Sequence, residues 1–155
     1  MHGARTPIKA VVDTNLFISG MILKRGRPFA LLEAWRARWF ILLIGDQQRD
    51  ELAAVLQRAK LRERYDLPPE DVALLLRLVD AAAVRVPLSR RLPVSVRDAK
   101  DEMILASALG GQAGYLVTGD SDLLILRNNP HLGDLKIVTV AEFLAVLATM
   151  RPPQR

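Results

Sequence analysis

The sequence predicts an α/β fold built on a parallel sheet covered on both faces, and three observations carry that prediction. Short, wholly apolar runs alternate with amphipathic stretches of helical period along most of the chain. The first run, Ile8 to Asp13, places Val11 and Val12 in succession, as in a strand buried on both faces. It also ends on a carboxylate, Asp13, at the strand end where open parallel sheets bind ligands.

Each element follows in order. After Thr14-Asn15, the stretch Leu16 to Leu23 predicts a buried helix broken by Gly20. Arg25 to Pro28 is a turn whose proline opens the next helix, which carries Phe29, Leu31, Leu32 and Trp35 as an apolar stripe. Phe40 to Ile44 is the second strand, ended by Gly45. Asp46 reads as the N-cap of one helix running towards Tyr65, with Leu52, Val55, Leu56 and Ala59 facing the core. Glu51 lies on the flank of that stripe, where an acid costs desolvation unless something pairs it, while Asp50 points to solvent.

Leu67-Pro68-Pro69 is a break, and Glu70 and Asp71 suit the first turn of a helix with Val72, Leu75, Leu76 and Val79 on one face. Val84 to Val86 is a short strand ended by Pro87. Ser89 to Lys100, holding Arg90, Arg91 and Arg97 among prolines, is the most basic loop-like segment. Asp98 to Asp101 opens a helix over 102–109 that Gly110-Gly111 closes. Tyr115 to Thr118 is a strand, Gly119 to Asp122 ends it with two carboxylates, and Leu123-Leu124 is a helical turn. Lys136 to Val138 is the last strand, and Thr139 caps a final helix from Val140 to Met150.

The bulk numbers narrow the function. At 155 residues the chain matches one domain over 1–155, with 1–7 and 151–155 expected to be flexible. That length buries roughly two-thirds of the unfolded surface. The absence of cysteine excludes disulfides and thiolate zinc sites and fits a reducing cytoplasm. A net charge of +5, carried mostly by arginine, favours a polyanionic partner such as nucleic acid. Trp39 to Ile44, an apolar run that no other in the chain exceeds, is far short of the ~20 residues of a membrane span, so no membrane partner is expected.

Acids recur at equivalent places: Asp13 after one strand, Asp120 and Asp122 after another, Asp98 and Asp101 at a helix start, and Glu51 on a helix. In a parallel sheet the strand ends share one edge, so these groups can converge. Converging carboxylates repel unless a proton or a cation intervenes. A hard divalent ion such as Mg²⁺ or Mn²⁺ takes such oxygen ligands. The same acids also suit plain structural roles: Asp98 and Asp120 as helix caps, Asp101 at a helix N-terminus, and Glu51 paired with Arg58 or Arg49. A cap does not account for an acid on the core flank of a helix. No glycine-rich phosphate loop follows the first strand. The two histidines, His2 and His131, sit at the terminus and in a loop, and Trp35 and Trp39 read as packing.

Four segments resemble the motifs of PIN domains, in that family's order. They are Val11 to Asn15; Asp46 to Leu56 with Glu51; Asp98 to Leu105; and Leu116 to Leu124, the last being the most specific. The resemblance implies a three-layer α/β/α sandwich around a mainly parallel sheet and a Mg²⁺- or Mn²⁺-dependent ribonuclease. It implies Asp13, Glu51, Asp101 and Asp120 as the acidic quartet, with Asp13, Asp101 and Asp120 on the metal. Asp98, Asp122, Thr14, Asn15 and Thr118 are accessory. It further implies an RNA substrate and a small antitoxin protein as partners, with a homodimer or higher oligomer left open. Lys100 stands where relatives often carry an acid, Ala99 where proline is common, and Gly45 in place of a frequent serine. A lysine at 100 either weakens a metal contact or, with Arg97, binds the substrate phosphate. The rival readings are a non-catalytic PIN-like module that binds RNA or protein, and an α/β domain whose acids are all caps.

Overall fold

The computed structural model describes residues 7–89 and 91–150. Residues 1–6, Arg90 and 151–155 lie outside the described residues, and with them nearly all of the two ends expected to be flexible and one arginine of the basic loop.

Five strands, β1 (Lys9–Val12), β2 (Ile41–Ile44), β3 (Val84–Arg85), β4 (Tyr115–Val117) and β5 (Lys136–Val138), form an all-parallel sheet in the order β3-β2-β1-β4-β5. The chain steps outward from β1 through β2 to β3, then returns to the other side of β1 for β4 and β5. The strand order therefore reverses between β1 and β4, where Val12 stands in register with Val117.

The helices are α1 (Thr14–Ile22), α2 (Arg27–Arg36), α3 (Asp46–Leu56), α4 (Ala59–Arg64), α5 (Pro69–Ala82), α6 (Ala99–Gly110), α7 (Ser121–Leu124) and α8 (Val140–Ala148). The period-two alternation of the strands divides the core between the two faces. Ala10, Val12, Leu42, Ile44 and Val117 pack with buried residues of α1, α2, α3, α5 and α8. Val11, Leu43, Leu116 and Ile137 pack with Ile104, Leu105 and Ala108 of α6 and Leu123 of α7. The result is a three-layer α/β/α sandwich, as expected. Among the described residues, no helix is long and apolar enough to cross a membrane.

Four local expectations are corrected. Gly20 does not break α1; it is buried within the helix, and a Cβ there would lie 2.6 Å from Leu32 Cδ1 and 2.8 Å from the Pro28 carbonyl. Its role is to let α2 approach. The helix expected from Asp46 to Tyr65 is two helices, because the buried stripe stops at Leu56 and residues 57–60, Ala59 included, are exposed. Asp46 is the first helical residue and not the cap, which is Gly45; its carboxylate pairs instead with Arg85 at 2.7 Å. The last helix ends at Ala148, two residues early.

Gly110 closes α6 for a reason other than a left-handed turn. Gly111 is in the right-handed region at φ −89°, and Gln112 adopts the positive φ of 53°. What requires glycine is the segment after β3, whose Pro87 carbonyl and Ser89 N–H cross Gly110 where a Cβ would stand. Backbone cannot yield there as a flexible side chain would. Gly110→Ala is therefore expected to lower stability by about 2 kcal/mol or more in urea unfolding. Gly114→Ala, which meets only an ordinary contact at 3.7 Å, should cost less.

Candidate active site

The sheet's reversal point fixes the first acid. The Asp13 N–H donates to the Val117 carbonyl at 2.9 Å, extending the β1–β4 pairing by one residue. This leaves the Asp13 side chain just past the sheet edge and 5% exposed. A buried carboxylate needs donors, and it has two. Thr118 Oγ1 donates to Asp13 Oδ2 at 2.8 Å, and the Asn15 N–H donates to Oδ1 at 3.2 Å. Thr118 itself is fully buried and also accepts the Asp120 N–H at 3.0 Å. One hydroxyl thus links Asp13 to the chain that carries Asp120.

Asp98, Asp101, Asp120 and Asp122 come from helix starts, and Glu51 from the middle of α3. Asp98 caps α6, accepting the Lys100 N–H at 2.7 Å and the Asp101 N–H at 3.4 Å. Asp120 caps α7 by accepting the Asp122 N–H at 2.8 Å. The structural role expected of Asp98 and Asp120 is therefore present, and Asp13 adds a third cap at α1. Capping does not explain where they point. Asp13, Glu51, Asp98, Asp101 and Asp120 line one cavity of about 100 Å³, together with Thr14, Asn15, Lys100 and Ile104. The acids of four separate segments converge.

Carboxylate oxygens of Asp101 and Asp120, which line that cavity, and of Asp122, which does not, lie within 4.8 Å of one another. Asp13 and Glu51 line the same cavity but stand outside this trio. Asp101 is 6% exposed, and its carboxyl is pushed up to about 6, first by burial and then by the charges of Asp120, Asp98, Asp13 and Asp122. Glu51 pairs with neither Arg58 nor Arg49. Arg49 is taken by Asp80 through two hydrogen bonds of 2.8 and 2.7 Å, whereas Glu51 Oε1 is 3.0 Å from Lys100 Nζ. Thr14 is buried, Asn15, Asp98 and Asp122 are exposed at the rim, and Arg97 is exposed on the loop before α6 and does not line the cavity.

A family model described as a PIN domain matches residues 9–122. The chain belongs to the PIN-domain family. No curated protein matches it. PIN domains are generally nucleases that use divalent metal ions, and the partly buried trio of carboxylates in this member is compatible with that chemistry.

One residue of this PIN domain escapes motif reading. Gln48, 1% exposed on α3, donates from Nε2 to the Val12 carbonyl at 2.6 Å and contacts Thr14 Oγ1 at 3.4 Å. It holds the Val12 backbone before Asp13 and the Thr14 side chain after it. The signal was available: Gln48 stands four residues before Leu52, a polar side chain on the buried stripe.

The raised Asp101 pKa has a consequence for stability. Below 3.8 the carboxyl is protonated in both states; as pH rises towards 6 the unfolded chain releases its proton first, and the fold loses stability through that window. In metal-free buffer, Asp101→Asn should remove this slope and raise stability at pH 7 by up to about 3 kcal/mol. Thermal melts of both proteins with a chelator, from pH 4 to 7, check it.

Proposed function

We propose that this PIN domain, extending over residues 1–155 and acting in the cytoplasm, is a Mg²⁺- or Mn²⁺-dependent endoribonuclease that hydrolyses RNA phosphodiester bonds. The observation that carries the reading is Asp101, a buried carboxylate facing further carboxylates, with no cation against it among the described residues. A purely structural cap gains nothing from such neighbours. The donor set is all oxygen, which fits a hard divalent ion and excludes sites that need thiolate or imidazole.

In this reading Asp13, Asp101 and Asp120 hold the ion, with Asp98 and Asp122 accessory at the rim. When bound, the ion supplies polarisation of a phosphate oxygen and a lowered pKa for water. The protein's own part is placement. Thr118 and the Asn15 N–H fix both oxygens of Asp13, Gln48 fixes the backbone that carries it, and α6 and α7 fix Asp101 and Asp120 by their first turns. Glu51, which lines the same cavity outside the trio, orients the attacking water. Arg97 and the other exposed arginines guide the RNA backbone from outside the acidic cavity, so retention on RNA weakens with salt.

The experiment is cleavage of RNA with Mn²⁺ or Mg²⁺. Asp13→Asn and Asp101→Asn should each lower the rate at least about 100-fold while the protein stays folded; unchanged cleavage would sink the assignment. Mn²⁺ affinity, read by calorimetry, should fall as pH drops through about 6, because the proton on Asp101 competes with the ion.

We further propose that the domain serves as the toxin of a toxin–antitoxin pair. Induced expression should then arrest growth, Asp101→Asn should abolish the arrest, and the product of the neighbouring gene should relieve it. A non-catalytic module predicts RNA retention without cleavage under any metal.

A further inference from the structure

The cavity contains a cation of its own. Five of its lining residues are acids, and Lys100 is the one basic residue among them. Among the described residues its ammonium pairs with Glu51, 3.0 Å from Oε1, an acid that is not a member of the Asp101–Asp120–Asp122 trio. The Lys100 side chain is 68% exposed and that of Glu51 23%. The lysine therefore reaches in from solvent at the mouth, and its stem is not locked by packing.

The two halves of the site solve the same problem differently. The trio gathers three carboxylates around a buried member, and among the described residues no basic side chain forms an ion pair with it. Glu51 lies on the flank of α3, and its charge is already answered by the first turn of α6. Arg49, the other basic residue beside it on α3, is held by Asp80 and does not turn inward.

Resting on the metal-dependent nuclease reading, we infer that Lys100 takes the place of a second divalent ion: the site binds one ion, at Asp13, Asp101 and Asp120, and Glu51 is held by Lys100. An ammonium close to Glu51 repels a divalent cation approaching that carboxylate. It also places a monovalent positive charge beside the cavity, where a phosphate's negative charge can meet it. Lys100 acts through Glu51 and the ion count, and so is a positioning residue.

The test is a count of bound Mn²⁺ on the full chain by electron paramagnetic resonance and calorimetry, without RNA. The unaltered protein should bind one ion. Lys100→Met, which keeps the length of the side chain and removes its charge, should bind a second at least about tenfold more tightly than the unaltered protein does. The double variant Lys100→Met/Glu51→Gln should return to one. Two ions on the unaltered protein, or one on Lys100→Met with a circular dichroism spectrum like that of the unaltered protein, would overturn the inference while leaving a metal nuclease intact. No bound ion on any of them, or an Asp101→Asn protein that binds as tightly as the unaltered one, would overturn the nuclease reading and this inference together.

Discussion

The hydrogen bond from Thr118 to Asp13 is the interaction on which the site depends. It joins the ends of two adjacent parallel strands, β1 and β4, across 105 residues of sequence. Both side chains are buried, so the carboxylate cannot turn to water without leaving the donor unpaired as well. The same hydroxyl accepts the Asp120 N–H and so ties the third acid to the first. Because the sheet reverses its order between β1 and β4, nothing in the sheet crosses this point, and the helices that start there open towards it.

That arrangement sets stability against chemistry. Three helix N-termini are capped by Asp13, Asp98 and Asp120, a favourable use of each acid taken singly. Bringing them together raises the cost of ionising Asp101 in their midst. The protein tolerates the conflict because the core on either face of the sheet is extensive and the acids sit at its rim. Among the described residues Lys100 pairs with Glu51, at a largely exposed position where an ion pair contributes little to folding.

Much of this was legible in the sequence because it is local. The strand–helix alternation pointed to the layers, since the short β-branched and aliphatic runs at Val11-Val12, Ile41 to Ile44 and Ile137-Val138 alternate with stretches of helical period. Cap chemistry at Asp98, Asp120 and Thr139 marked helix starts that the structure reproduces, the last as a full capping box with Glu142. Helix ends were read less well. The break after Leu56 and the early stop at Ala148 depend on where burial runs out, which spacing alone does not reveal. Glycines misled for the same reason: Gly20 and Gly110 are required by backbone from other segments crossing close to them.

By itself, then, the sequence determined that acids would end the strands β1 and β4 and open α6, and that one more would ride on the core flank of α3. Those facts follow from periodicity and capping, which act over a few residues. Only the tertiary structure decided which acids meet. Glu51 turns to Lys100 because Arg49 is captured by Asp80 of α5, a partner 31 residues away. Asp13 is oriented into the cavity it shares with Asp101 and Asp120 by Thr118 and the Asn15 N–H, each of which donates to one of its oxygens. Such choices are made by competition among donors across strands and helices, and a single chain read in order does not contain their distances.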